Sequence, residues 1–406
     1  MPPLLRSLLR ILAATLTVLA ILLGLAAAAI TQPTFGSLPS PGGLSADPDR
    51  LRQDVEFLTL QASPRDSDHP ESLDRAAAYI RDGFARTPAR VRDQTFQARG
   101  RPYRNVIASF GPATGPLLVV GAHYDTFGDF GPNPGADDNA SGTAGLLELA
   151  RLLEGHTLPL RVELVAYANE EPPWFGTPWM GSAVHARSLK GQDVRGMICL
   201  EMIGYFTERQ PAPNLLFRLL YPARGNFIAI AGRWSDRSLT RHVKRAILGT
   251  GFPAYSFTAP RDAGIDASDQ RSYWDLGIPA VMVTDTSDIR NPHYHAPGDT
   301  AETLDYRRMA RVMEGVANAV LKADAVSAIP MAAQDRSEYA SKPKSDDRRR
   351  PPEDPRERPE KRSPENDAGV FHEKRREATL SRSVIRKISG SSEGHPAAAS
   401  FTPYPL

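Results

Sequence analysis

Residues 117–123 read Leu-Leu-Val-Val-Gly-Ala-His, a nearly continuous apolar run that ends on a histidine. A run of this length with no polar alternation suits a strand buried on both faces, and such a strand needs helices above and below it. The neighbouring sequence supplies them. Further strands are expected over residues 91–97, 104–110, 161–168, 194–202, 227–231 and 279–284. Helices are expected from Pro48 with Ser45 or Asp47 as its cap, and over 71–87, 141–153, 181–190, 235–248, 268–275 and 305–323. Strand and helix alternate from residue 117 onward. The pattern is that of an α/β fold: a single, mostly parallel central sheet flanked by helices on both faces.

The ends of the chain follow different rules. Arg6 and Arg10 precede an uncharged apolar run over residues 11–30. This run is near the roughly 20 residues that span a bilayer and longer than the roughly 7–15 of a cleavable signal. Residues 1–30 therefore read as a membrane anchor, with Ala26 to Ala29 offering a small-residue cleavage site as the alternative. Arginines retained on the cytoplasmic side would place the remainder outside the cytoplasm. Residues 31–46, rich in Pro, Gly and Ser, read as a flexible spacer. The folded body is expected over 47–325, and the charged, Pro-rich segment 326–406 as a disordered tail.

Two compositional facts narrow the function. The formal net charge of +2 in 406 residues gives no global field that would draw nucleic acid. A single cysteine, Cys199, excludes an intrachain disulfide and any metal site built from several thiolates, so a metal here must use histidine and carboxylate.

Such residues gather where the expected strands end, the edge at which doubly wound sheets bind ligands. His123 closes Gly-Ala-His-Tyr-Asp, where Asp125 can accept the second ring proton and orient the imidazole. The run Gly135-Ala136-Asp137-Asp138-Asn139 enters a helix. Asp138 or Asn139 can cap that helix, but two adjacent carboxylates also repel, and a cation between them and His123 relieves the repulsion. Glu170 and Glu171 end a third strand, where extended backbone sends the two side chains in different directions. Glu201 closes a fourth apolar strand, and an acidic group there is costly to bury unpaired. His293 and His295 precede Asp299-Thr300.

Together, over residues 104–300, these segments resemble the M28 family of zinc peptidases, which includes bacterial secreted aminopeptidases and glutamate carboxypeptidases. The resemblance implies His123, Asp137 and Glu201 on one zinc ion and Asp137, Glu171 and His295 on the other, with Asp137 bridging. It places Glu170 at the general base and Asp125 behind the first histidine. His295 is preferred to His293 because three residues separate it from Asp299-Thr300, as in the family. Two departures stand out: many members carry aspartate where this chain has Glu201, and many have glycine near the position of Pro172-Pro173.

The implied activity is removal of N-terminal amino acids from peptides with a free N-terminus, catalysed by two zinc ions. Carboxypeptidase or dipeptidase specificity is an alternative. Glutaminyl cyclases share the fold and use one zinc; the Asp137-Asp138-Asn139 run favours the peptidase. A non-catalytic ectodomain would lack the ligands that are all present here. Trp174, Trp179, Tyr205 and Phe206 lie close in sequence to the ligands and are candidates for shaping the pocket.

Overall fold

The computed structural model describes residues 2–128 and 133–323. Eight strands form one sheet: β1 (Arg90–Ala98), β2 (Arg101–Phe110), β3 (Leu117–His123), β4 (Arg161–Tyr167), β5 (Val194–Leu200), β6 (Ile228–Arg233), β7 (Ala254–Ala259) and β8 (Ala280–Thr284). Their order is β1-β2-β4-β3-β5-β8-β6-β7. The central block β4-β3-β5-β8 is parallel throughout, as are β6 and β7. The pairs β1–β2, β2–β4 and β6–β8 are antiparallel, so the expected parallel sheet is the centre of a mixed one.

The buried strands divide their side chains between two cores. On β3, Leu118, Val120 and Ala122 join one apolar cluster while Leu117 and Val119 join the other. On β5, Ile198 and Leu200 face the first and Met197 and Cys199 the second. This two-sided burial is why β3 shows no polar alternation. The first cluster takes residues from α2 (Pro48–Glu56), α3 (Pro70–Ala85), α4 (Gly142–Leu152), α7 (Arg237–Leu248) and α9 (Tyr306–Leu321). The second takes residues from α5 (Gly181–Ser188) and α8 (Gln270–Trp274). Asp47 caps α2 by accepting from the amides of Asp49 and Arg50, with Pro48 in the first turn.

Two elements were not expected from the sequence: β7, and the six-residue helix α6 (Leu215–Leu220). The apolar N-terminal run is a single helix, α1 (Pro3–Thr31), whose span-length stretch has no buried residue. The segment expected as a flexible spacer is fastened to the body instead. The Leu38 amide donates to the Arg245 carbonyl at 2.9 Å, Asn318 Nδ2 donates to the Leu38 carbonyl at 2.9 Å, and Leu38 and Leu44 pack against the first core. The expected tail, 326–406, lies outside the described residues.

Gly121 sits mid-sheet where β3 passes the Tyr167 ring, and a Cβ there would fall inside that ring. Tyr167 is fully buried, and its hydroxyl is tied to that of Tyr273 at 2.7 Å, so it has little room to move aside. Gly121→Ala should therefore cost about 1–3 kcal/mol by overpacking. Urea denaturation should show a loss for Gly121→Ala that is smaller in a Tyr167→Leu background; equal losses in both backgrounds would mean the ring is not the obstacle.

Candidate metal centre

Four parallel strands, β4, β3, β5 and β8, end at one edge of the sheet, and the loops leaving them carry the acidic and histidine residues. His123 is the last residue of β3; Glu170 and Glu171 follow β4, Glu201 follows β5, and His295 lies in the loop after β8. All are buried except His295, which is partly exposed.

These side chains form two groups that share one residue. His123, Asp138 and Glu201 converge in the first, and Asp138, Glu171 and His295 in the second. His123 Nε2 lies 3.3 Å from Asp138 Oδ1 and 3.3 Å from Glu201 Oε2. His295 Nε2 lies 3.1 Å from Asp138 Oδ2 and 3.2 Å from Glu171 Oε1. The two oxygens of Asp138 thus face different histidines.

The shared residue is Asp138, which corrects the expectation for Asp137. Asp137 points away from the histidines: its Oδ1 accepts from the Gly204 amide at 3.0 Å and its Oδ2 from Asn291 Nδ2 at 2.9 Å. The reversal comes from backbone that spacing does not reveal. Gly135 takes a left-handed conformation, and Asp138 and Asn139 leave helical geometry, with φ/ψ of −106°/92° and −132°/44°. Extended backbone at Asp138 then turns adjacent side chains to opposite sides.

Asp125 stands beside the His123 ring, as expected, and also binds the glutamate pair. His123 Nδ1 lies 3.1 Å from the main-chain oxygen of Asp125 and 3.5 Å from its carboxylate. The carboxylate itself accepts from the amides of Glu170 and Glu171, both at 3.1 Å. It fixes the glutamate pair more directly than it fixes the imidazole. Of the two histidines considered, His295 enters the cluster; it is stacked between Phe127 and Tyr294, with centroids 4.3 and 3.8 Å away.

Several supports gave little or no sequence signal. Arg65 is fully buried and donates to the carbonyls of Leu58, Tyr124, Pro134 and Gly135, which holds the loop before Asp137. Asp299 accepts from the amides of Asp137 and Asp138 at 2.9 and 3.0 Å. Ser268 donates to Glu201 Oε2 at 2.6 Å. Only Asp299 could have been suspected, from its fixed distance to His295. Among the aromatic candidates, Trp174 packs into the first core beside Tyr103, and Phe206 meets Phe252 edge-on.

The electrostatics are those of acids crowded in a dry place. Burial pushes Glu170 well above the ordinary carboxylate range, against the pull of His123, and it pushes Glu171 up to about 7. Burial would lower His295, but Glu171 and Asp138 outweigh it and hold the ring up to about 10. Glu201 and Glu170 likewise overcome desolvation to raise His123. Asp138 Oδ1 and Glu171 Oε1 are buried and receive no well-directed hydrogen bond. With Nδ1 of His123 directed at a carbonyl, its Nε2 faces carboxylate oxygens, an acceptor set that a divalent cation satisfies. Histidine and carboxylate donors are also the chemistry of catalytic zinc sites.

Comparison with known proteins gives a consistent picture. The family model for peptidase family M28 matches residues 105–320. The chain is 47% identical over 297 residues to the Escherichia coli K12 protein YfbL, itself uncharacterized, covering 70% of this chain and 91% of that one. It is 28% identical over 237 residues to leucine aminopeptidase 1 of Ajellomyces dermatitidis, covering 54% of this chain and 57% of that relative, a little over half its length. Among solved structures, the zinc aminopeptidase BSAP of Bacillus subtilis aligns with a TM-score of 0.56 at 14% identity, over 69% of this chain and 96% of its own. Bacteroides thetaiotaomicron glutaminyl cyclase aligns with a TM-score of 0.54 at 20% identity, over 70% and 99%. At these identities the two structures speak for the fold alone. The chain belongs to peptidase family M28 and is a hydrolase of the metallo-exopeptidase type.

Proposed function

We propose that the chain is a zinc aminopeptidase, with one ion held by His123, Asp138 and Glu201 and a second by Asp138, Glu171 and His295. The observation that carries this reading is the placing of Asp138 between two histidines with a separate carboxylate completing each group. Zinc in such a site lowers the pKa of bound water toward neutrality and polarises a carbonyl. Glu170 belongs to neither group, yet its carboxylate comes within 4.0 Å of His123 Nε2. That position suits a general base that takes the proton of the attacking water and returns it to the departing amine. Asp125 keeps Glu170 and Glu171 in register by binding both amides. The similarity to leucine aminopeptidase 1 supports an N-terminal residue of the peptide as the leaving unit. The glutaminyl cyclase reading needs one metal, and it would leave His123 and Glu201, which complete a second group with Asp138, without a ligand role.

We further propose that α1 is a retained anchor and that the catalytic body lies outside the cytoplasm. Its last turn is built into the body: Thr258 donates to the carbonyls of Ala29 and Ile30, Ser256 to that of Thr31, and Lys244 to those of Thr31 and Gln32.

Three outcomes test the catalytic proposal. On a panel of short peptides with free or acetylated N-termini, product analysis should show single residues released only from the free-amine set. Release from acetylated peptides, or pyroglutamate from a peptide beginning with glutamine, would overturn the aminopeptidase assignment.

Glu170→Gln keeps the side-chain shape but cannot accept a proton, so turnover should fall by about 100-fold or more with both zinc ions retained. Asp138→Asn should instead lower metal content at both sites, whereas Asp137→Asn, on the far side of the loop, should retain zinc better. Equal metal loss in the two Asp variants would contradict a single shared carboxylate.

Zinc must also displace protons. With His295 held up to about 10 and Glu171 up to about 7, the metal-free centre is protonated at neutral pH and both groups must be bare to bind. Affinity should therefore rise from pH 6 to pH 8, with protons released on binding. Calorimetry in buffers of different ionisation enthalpy measures this, and heats independent of buffer would rule it out.

A further inference from the structure

The edge strand β7 collects three features that the catalytic reading does not use. The first is the end of α1, whose carbonyls meet Ser256 and Thr258. The second is Trp234, whose indole Nε1 donates to the Thr258 carbonyl at 3.1 Å while the side chain remains 49% exposed. The third is the segment of α6: Tyr221 donates to the Ser256 carbonyl at 2.9 Å, and Phe217 packs on Phe257 with centroids 5.1 Å apart. Anchored this way, α6 turns Leu215, Leu216 and Leu219 outward, 68%, 46% and 74% exposed. Arg218, also exposed, lies among them.

Three exposed leucines on one six-residue helix are an unusual expense for a surface in contact with water, because soluble surfaces scatter such residues singly. Their neighbourhood suggests what covers them. α1 and α6 are bound to adjacent residues of one strand, so wherever α1 leaves a bilayer, α6 and Trp234 stand beside the exit. Leucine with a half-exposed tryptophan and arginine is the composition of a helix lying in the headgroup region, where indole and guanidinium groups stay at the polar boundary.

We propose that α6 and Trp234 dip into the lipid interface next to α1, giving the enzyme a second membrane contact that fixes the orientation of its body on the bilayer. This rests on the reading of α1 as a retained anchor.

The test uses the full chain reconstituted in vesicles of phosphatidylcholine and phosphatidylglycerol carrying both a lipid spin-labelled near the headgroup and one spin-labelled near the end of its acyl chain, which reaches the middle of the span. A fluorophore is attached in turn to Leu216→Cys, to Ala20→Cys within α1, and to Thr95→Cys on β1 at the opposite edge of the sheet. The native Cys199 is buried and leaves the added thiol as the reactive one. Loss of fluorescence at positions 216 and 20, with none at 95, is the expected result. Quenching at 20 with position 216 as bright as 95 would leave the anchor standing and overturn the interfacial contact. Shielding of position 216 from an aqueous quencher without quenching by lipid would identify a protein partner on that face and equally overturn it. An unquenched label at position 20 would remove the anchor, and the contact with it.

Discussion

Burying many carboxylates at one end of a sheet is the constraint that organises the rest of this molecule. Asp125, Asp137, Asp138, Glu170, Glu171, Glu201, Asp285 and Asp299 are all buried. An ionised carboxylate taken from water without a partner is far too costly to keep, so each must be protonated, hydrogen-bonded or paired with a cation. The outer members are satisfied by backbone amides: Asp125 by those of Glu170 and Glu171, Asp299 by those of Asp137 and Asp138, and Asp285 by those of Tyr205 and Ser287. Each of these carboxyl groups ties two chain segments together. The inner members, Asp138, Glu170 and Glu171, have fewer such donors and face the histidines. A shell of carboxylates serves as scaffold, and the remainder are left free for chemistry.

That division also explains how two neighbours in sequence acquire different jobs. Asp137 and Asp138 are chemically identical, but Asp137 meets Gly204 and Asn291 while Asp138 meets His123 and His295. Glu170 and Glu171 repeat the pattern after β4: both amides go to Asp125, and their carboxylates diverge toward His123 and His295. Burial raises Glu170 well above the usual carboxylate range, which suits the general-base role proposed for it, since such a group holds a proton between accepting it and passing it on. The same environment would make Glu171 a poor ligand unless something draws its proton away. A cation shared with His295 and Asp138 would do so, and would release a proton as it binds.

Much of this was legible in the sequence. The strands β3, β4 and β5 announce themselves by apolar runs that end in His123, in the Glu170-Glu171 pair and in Glu201, because two-sided burial leaves no place for alternation. The sheet edge follows from the topology those runs imply. What could not be read was the orientation of adjacent side chains in irregular backbone. Choosing between Asp137 and Asp138 requires the φ/ψ of the loop, which depends on Arg65, unremarkable in pattern, and on Asp299, whose tie to the loop amides no spacing reveals. The strand β7 was missed although Tyr255 and Phe257 alternate with Ser256 and Thr258, because here the polar members of the alternation are the buried ones. The spacer was misread because composition measures intrinsic stiffness and not the contacts that Leu38 and Leu44 make with the core.

The edge strand also links topology to stability. An exposed strand edge invites pairing with other chains unless something occupies it. Here the carbonyls of Ser256 and Thr258 accept from Tyr221 and Trp234, and the corresponding hydroxyls are committed to the end of α1. Cleavage after Ala28 would leave residues 29–32 in place, and with them every acceptor used by Thr258, Ser256 and Lys244. Cleavage after Gln32 would remove all four residues. Lys244, which burial lowers to about 8, would then lose two of its three oxygen partners in a place with little water to replace them. The hydrogen bonds that tie α1 to β7 thus come from its last turn, which packs as part of the body.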